Sequence, residues 1–159
     1  MIESRQIVVF CIDDIRFAVP ISSVEYIIRA VEVYPFPGSP ELLLGIINYH
    51  GETVPVINLR QKLRLKEKPI SSNDYFIISR TGERKIVFVA DKISGYLELD
   101  VTKIKNVHAI WPGISRIESV ASWEDEYILI TDFMEFLSSE ENEMLSAVLS
   151  DAANNRKVE

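Results

Sequence analysis

The sequence has little of what marks several common protein classes. It contains one cysteine, Cys11, so no disulfide can form within the chain, as is usual in a reducing compartment. The two histidines, His50 and His108, have no cysteine or carboxylate neighbours at the spacing of a zinc site. No apolar run approaches the roughly 20 residues of a membrane span, and no basic-then-apolar leader opens the chain. We therefore expect a cytoplasmic protein with no metal, no cofactor and no direct membrane insertion.

Positive charge is also in short supply. The chain carries 17 lysines and arginines against 24 aspartates and glutamates, which gives a formal net charge of −7. Nucleic acids and anionic membrane surfaces attract basic proteins, so we expect neither as a partner. The short basic stretch Lys62–Lys68 is typical of the solvated end of a helix.

Recognisable catalytic motifs are missing as well. The chain has no glycine-rich phosphate loop, nucleophile elbow or zinc-protease helix. Asp13-Asp14 resembles the acidic pair of a response-regulator receiver, but Ile15 re-enters a strand at once, whereas that fold alternates strands with helices. We therefore predict a turn at Asp13-Asp14 and favour a binding protein. A small-barrel enzyme of unknown chemistry stays open as an alternative, because catalytic residues can converge from distant segments.

Short extended runs are what the sequence has in abundance. Alternating or β-branched residues bounded by turn signals are typical of strands. Such runs occupy Ile7–Ile12, Ile15–Val19, Val24–Ile28, Tyr75–Ser79, Lys85–Ala90, Asp91–Leu99, Ile117–Trp123 and Tyr127–Ile130. Turns are predicted at Thr81-Gly82 and Glu124–Glu126, and Gly95 indicates a bulge. Many short strands with turns every eight to twelve residues predict a barrel or a sandwich.

The stretch Ser39–Arg60 contains the densest set of local signals. Ser39 and Pro40 are typical of a helix start, which predicts one helical turn over Leu42–Leu44 that Gly45 ends. Strands are then predicted at Ile46–Asn48 and Thr53–Ile57, around a Gly51-Glu52 turn.

Two further signals complete that stretch. Pro55 has no N–H for a ladder, which predicts an edge strand or a bulge. Asn58 can cap a last short helix, in which Leu59 and Leu63 share a face.

The end of the chain changes to a helical pattern over residues 131–153. A capping box at Ser138–Glu141 predicts a helix start. Met144, Leu145, Val148 and Leu149 form an apolar stripe at helical spacing.

The central stretch resembles the CheW-like domain of bacterial chemotaxis, the scaffold that couples receptors to the histidine kinase CheA. The family order is a proline-rich approach, a short helix, a glycine, a hydrophobic strand, Asn-Leu-Arg-Gly, a strand containing proline, then Asp-Leu-Arg. The matching residues are Pro37, Pro40, Gly45, Asn48, Gly51, Pro55, Leu59 and Arg60. The chain departs from the pattern at Tyr49 for Leu, His50 for Arg and Asn58 for Asp. The resemblance covers roughly Gln6–Leu145.

The resemblance implies an all-β fold with minor helices: two SH3-like five-stranded β-barrels plus a C-terminal helix. We expect residues 1–159 to form one CheW-like domain. Its halves would be 15–65 for the first barrel and 75–130 with the N-terminal strand for the second, joined by Lys66–Asn73. Residues 131–153 would form the C-terminal helices.

The resemblance also implies a function and two partners. The protein would be a non-enzymatic adaptor between the regulatory domain of a CheA-type histidine kinase and the tip of a methyl-accepting chemoreceptor. The alternative is a docking module of another signalling assembly, in motility or development. The implied kinase and receptor interface contains Val24, Tyr26, Asn48, His50, Gly51 and Arg60.

Two positions of that surface depart from the family together. Family members commonly carry Glu at the position of Tyr26 and Arg at the position of His50, so both opposite charges are absent here. Neutral Tyr26 can stack on or hydrogen-bond to His50, and losing both partners of an ion pair is better tolerated than losing one. Either the pair changes the choice of partner or it reflects neutral drift on an exposed rim.

Overall fold

The computed structural model describes residues 4–81, 84–106, 117, 119–132 and 137–158. Most of these residues lie in strands, and two α-helices flank the second half of the chain. The strands are β1 (Ser4–Ile12), β2 (Ile15–Pro20), β3 (Val24–Arg29), β4 (Leu43–Tyr49), β5 (Glu52–Ile57), β6 (Tyr75–Thr81), β7 (Arg84–Ala90), β8 (Lys92–Asp100), β9 (Ile104–Asn106), β10 (Ser119–Trp123) and β11 (Glu126–Ile130); the helices are α1 (Leu59–Lys62) and α2 (Ser139–Val158).

The described strands form two sheets. The first has the order β3-β6-β7-β5-β4 and the second the order β8-β1-β2-β11-β10-β9. Neighbours are antiparallel except for the β5–β7 and β11–β2 pairs, which are parallel. The predicted mainly β fold, with two small SH3-like barrels and a C-terminal helix, is confirmed. The second sheet has six strands, because the short β9 pairs with β10.

The sheets divide the chain differently from the predicted halves 15–65 and 75–130. Strand β2 lies in the second sheet, whereas β6 and β7 lie in the first. A parallel pair such as β5–β7 needs a crossover connection, and residues 58–83 provide it. Lys66–Asn73 therefore connects elements of one sheet and does not join two halves.

Strands β1 and β2 belong to two hydrophobic cores at once. On one face, Ile7 and Val9 pack inside the second barrel. On the other face, Val8, Phe10 and Ile12 pack in a core shared by both sheets and α2. Burying one such side chain contributes about 1.5–3 kcal/mol. The period-2 alternation of these strands thus fixes how the two barrels sit against each other.

Several predicted turns and the predicted bulge are confirmed. Asp13-Asp14 forms the tight turn between β1 and β2, and Glu124-Asp125 joins β10 to β11. In the β1–β8 ladder Val9 pairs with Gly95 and Phe10 with Ile93, which leaves Ser94 as the extra residue. The Thr81-Gly82 turn involves residues 82–83, which lie outside the described residues, as do residues 107–116 and 133–136.

The predicted helical turn after Ser39 is wrong. The Leu43 N–H donates to the Pro40 carbonyl at 3.0 Å, and β4 begins at Leu43. A long-range contact decides this: Tyr34 and Ile46 exchange two backbone hydrogen bonds of 2.9 Å. Pairing with Tyr34 holds the segment extended and overrides the local helix signal.

Pro55 is not on an edge strand, since β5 lies between β4 and β7, and the bulge in this ladder lies on β4, at Leu44. Pro55 faces Ile46, whose own N–H and carbonyl are directed at Tyr34. The nitrogen of Pro55 therefore points toward β7, where the parallel ladder starts only at Val56. The proline removes no ladder hydrogen bond there.

Both predicted helix caps are confirmed. The Asn58 side-chain oxygen accepts from the Gln61 N–H at 3.1 Å at the start of α1. At α2, the Ser138 N–H donates to Glu141 Oε1 at 3.0 Å and the Glu141 N–H donates to Ser138 Oγ at 3.2 Å.

Helix α2 docks through its first turns and continues to Val158, beyond the predicted end at 153. Leu145 is fully buried in the shared core, whereas Met144 of the same predicted stripe is 41% exposed. Lys62 of α1 forms an ion pair with Glu141, and Arg84 Nη1 donates to the Asn142 carbonyl at 3.1 Å. These contacts tie α2 to the first sheet.

Gly45 tests the long-range pairing that defines β4. A Cβ at this position would lie 2.5 Å from the Tyr34 carbonyl oxygen, and φ is +155°. We expect Gly45→Ala to lower the free energy of unfolding by about 2 kcal/mol or more, because backbone must move. Urea unfolding followed by tryptophan fluorescence measures this. Gly38→Ala is the matched control: its φ is +79° but its Cβ meets nothing within 4 Å, so an equal loss there would contradict the steric account.

Leu145 tests the docking of α2. We expect Leu145→Ala to lower the free energy of unfolding by about 2 kcal/mol or more, because it leaves a cavity in the shared core. Thermal unfolding measures the change. Met144→Ala, at the adjacent and more exposed position, is the control for helix propensity in that experiment. Equal effects of the two substitutions would mean that the helix does not pack as described.

Candidate protein-docking surface

The β4–β5 turn presents His50 to solvent. His50 and Gly51 form the turn with φ of 52° and 84°, one residue earlier than the Gly51-Glu52 turn predicted. Asn48 Oδ1 accepts from the Gly51 N–H at 2.9 Å, which stabilises this left-handed conformation. Asn48 and Gly51 therefore shape the turn, and a non-glycine residue with positive φ, such as His50, is uncommon and often found at functional sites.

Three aromatic rings meet beside this turn. The Tyr26 and Tyr49 ring centroids are 5.9 Å apart, and those of Tyr49 and His50 are 4.3 Å apart in an edge-on arrangement. The sequence predicted a direct Tyr26–His50 contact, but Tyr49 contacts both rings. Tyr49 was missed as a site residue, although its departure from the family's leucine was the available signal. We name Tyr26, Tyr49 and His50 the ring cluster.

The charged side chains around the ring cluster pair with one another. Lys85 Nζ lies 3.0 Å from Glu52 and 3.9 Å from Glu25, and it also lies 6.0 Å from the centre of the Tyr49 ring. The hydrogen bond with Glu52 is the main cause that raises the pKa of Lys85. Partly exposed pairs of this kind contribute little stability, but they match the local charges within the chain.

Val24 and Arg60, which the sequence places at the kinase and receptor interface, both have structural contacts within the chain. Val24 is half-buried and packs against the shared core. Arg60 is 12% exposed in its side chain, and its guanidinium lies 2.9 Å from both Asp13 and Asp91. It also donates to the Lys66 carbonyl at 3.0 Å. Arg60 therefore connects α1 with the β1–β2 turn and the β7–β8 corner, as a structural residue.

The Arg60 network shifts the pKa of its members. The hydrogen bond from Arg60 lowers the pKa of Asp13 below its usual range. Burial of Arg60 acts to lower its own pKa, but hydrogen bonds to Asp13 and Asp91 outweigh burial and raise it. Both shifts favour the charged forms of Asp13 and Arg60, so this ion pair persists at neutral pH.

Within the ranges that the structure describes, no group of three or more histidine, cysteine, aspartate or glutamate side chains is placed to hold a metal ion. Among the same residues, no helix is both long and apolar enough to cross a membrane.

Two small barrels with a shared core and a helix packed against it define a two-barrel, mainly β class of fold. The family model for the CheW-like domain matches residues 6–141. That span is most of the chain, so the protein belongs to the CheW-like family.

Named relatives and a solved structure agree with this assignment. The chain is 25% identical over 150 residues to a protein named Chemotaxis protein CheW from Treponema pallidum, with 91% of this chain and 88% of the relative covered. It is 23% identical over 146 residues to the Chemotaxis protein CheW of Klebsiella aerogenes, with 91% and 88% covered. Its fold matches the crystal structure of scaffolding protein TtCheW from Thermoanaerobacter tengcongensis with a TM-score of 0.77 at 23% identity, covering 87% of this chain and 97% of the other.

The Asp13–Arg60 contact predicts an acid dependence of stability. A carboxylate whose pKa is lowered in the folded state stabilises it above the unfolded pKa, about 3.9, and loses that stabilisation as the pH falls through the folded value. We expect Asp13→Asn to reduce stability at pH 7 and to flatten the loss of stability below about pH 4. Urea unfolding as a function of pH measures both, with Asp14→Asn as the neighbouring control. If the Asp13→Asn variant loses stability below about pH 4 as steeply as the unaltered protein, the Asp13–Arg60 pair is not the cause of the acid dependence.

Proposed function

We propose that this protein is a non-enzymatic adaptor that couples chemoreceptors to a CheA-type histidine kinase in chemotaxis signalling. The observation that carries the proposal is the match to the CheW-like domain over residues 6–141. The two-barrel fold shared with a scaffolding protein supports it. Its partners would be the regulatory domain of the kinase and the tip of a methyl-accepting chemoreceptor, and it would act in the cytoplasm at receptor arrays.

Such an adaptor works by geometry, since it holds two partners at a fixed distance and angle. The shared core and the Arg60 network join the two barrels to each other. The ring cluster then presents Tyr26 and His50 as a docking surface on the first barrel. Asn48 and Gly51 contribute by holding the turn, and Val24 contributes by supporting β3 from the core.

The titratable groups are consistent with a role without catalysis. Among the described residues, those with shifted pKa values are Asp13, Arg60, Lys85 and Glu141, and each has an oppositely charged partner in the chain. Structural ion pairs account for these shifts, so none of them requires a group tuned for acid–base chemistry. A small-barrel enzyme is accordingly the less supported reading.

A docking module for a motility or developmental assembly is also less supported. The fold would serve such a role equally well. The relatives that match along about nine-tenths of this chain are named as chemotaxis proteins, and this favours the chemotaxis role.

Reconstitution tests the proposal. We expect the purified protein to raise the rate at which the kinase encoded by the same organism phosphorylates itself, provided that receptor is present. Omitting the receptor, or omitting this protein, supplies the controls, and labelled ATP supplies the measurement. No phosphate should appear on the adaptor itself, since Asp13 is engaged with Arg60. A kinase rate that does not respond, or label on Asp13 or Asp14, would contradict the adaptor role.

A further inference from the structure

The ring cluster is an exposed, uncharged surface anchored on the first barrel. Tyr26 is 51% exposed, and His50 is exposed at the tip of its turn. Between them, Tyr49 is half-buried and packs against the core of the first barrel. Aromatic rings supported from below lose little conformational freedom on binding, which makes them effective anchors at protein interfaces.

Among the described residues, the charged side chains that border the rings are paired with one another. Two cations, Lys85 and Arg80, stand beside two anions, Glu25 and Glu52, and the contacts of 3.0 to 3.9 Å between them pair the four groups. A charged partner side chain placed here would lose its hydration without gaining a free counter-ion. An apolar side chain would instead bury against the rings.

Strand β3, which carries Tyr26, is an edge strand whose outward backbone groups lie outside the ladders formed by the described strands. It lies at the end of the first sheet. The Ala30 N–H donates to the Asp74 carbonyl at 3.0 Å. The β3–β6 ladder continues in the same register from this pair to Tyr26. Because hydrogen-bonded positions alternate in an antiparallel ladder, Ile27 and Arg29 direct their N–H and carbonyl groups away from the sheet. The Arg29 guanidinium lies 4.6 Å above the Tyr75 ring, and Ile27 is 37% exposed.

We propose that an extended strand of the partner pairs with β3 at Ile27 and Arg29, and that an apolar, uncharged side chain of that partner packs on the ring cluster. A helix satisfies its own backbone groups and cannot pair in this way. The partner at this surface is therefore a β-structured domain. The inference rests on the proposed function, in which that domain belongs to the kinase and the helical receptor tip binds elsewhere.

Substitutions at Tyr26 test the chemistry of the contact. The probe is the full-length kinase encoded by the same organism, with binding measured by calorimetry. Tyr26→Glu should weaken binding by about tenfold or more, because it places an unpaired charge on the rings. Tyr26→Phe keeps the ring and should stay within about twofold. Tyr127→Glu is the matched control, because Tyr127 is 70% exposed on the second barrel, and it too should stay within about twofold.

Salt gives an independent readout of the same contact. An apolar contact should change in affinity by less than about threefold between about 0.05 and 0.5 M sodium chloride, whereas a charge-mediated contact weakens as the ions screen it. Tyr26→Glu binding within about twofold of the unaltered protein, or a steep fall in affinity with salt, overturns the proposal.

Ile27→Pro tests the backbone pairing. Proline is tolerated on an edge strand where the N–H faces solvent, so this variant removes one outward donor. It should weaken kinase binding at least about fivefold more than Ile27→Ala, which removes the side chain alone. Hydrogen exchange on the unaltered protein gives the second measurement, since the amides of Ile27 and Arg29 should become protected in the complex. Equal binding by the two variants, or unprotected amides, overturns the pairing.

Failure of this inference is distinguishable from failure of the adaptor role. If the unaltered protein binds neither kinase nor receptor, both fail together. If it binds the kinase but Tyr26→Glu and Ile27→Pro bind equally well, only this inference is overturned. If those variants lose the receptor tip and keep the kinase, the surface belongs to a helix and the inference is again wrong.

Discussion

The two-faced packing of β1 and β2 is the constraint on which the rest of the structure depends. Alternate side chains of β1 enter different cores, with Ile7 and Val9 inside the second barrel and Val8 and Phe10 between the barrels. A shift of one residue in register would exchange these two sets. The β1–β2 turn and the Ser94 bulge hold the register. The second sheet extends from this pair through β8 and β11, and the first sheet packs against the other face of the pair through the shared core.

The Arg60 network makes the orientation of the two barrels more specific, because hydrogen bonds are directional and apolar contacts are not. Its guanidinium meets Asp13 on one side and Asp91 on the other, and hydrogen bonds of this kind demand particular angles. With only 12% of its side chain exposed, Arg60 has lost much of its hydration, so both carboxylates are needed to offset that loss. Arg60, a residue of the family motif, therefore has a direct part in the architecture.

Features that depend on residues close together in the sequence were predicted correctly. The Asp13-Asp14 turn and the capping box at Ser138 depend on residues within four positions of each other, and both could be read from the sequence. The helix expected after Ser39 failed because Tyr34 pairs with Ile46, a contact that no residue in the window reveals. The predicted halves failed for the same reason, since a parallel β5–β7 pair has no local signature. Of the candidate surface, Tyr26 and His50 were predicted to be close, but the ring between them was not.

That intervening ring changes the physics of the surface. A pair of opposite charges acts over several ångströms and weakens with salt, so it can attract a partner before contact. The rings of Tyr26, Tyr49 and His50 attract a partner only at contact distance, through dispersion and the exclusion of water. At the proposed docking surface, selectivity would therefore depend on shape rather than on charge. Because Tyr49 also packs on the core of the first barrel, the position of that surface is set by the fold itself.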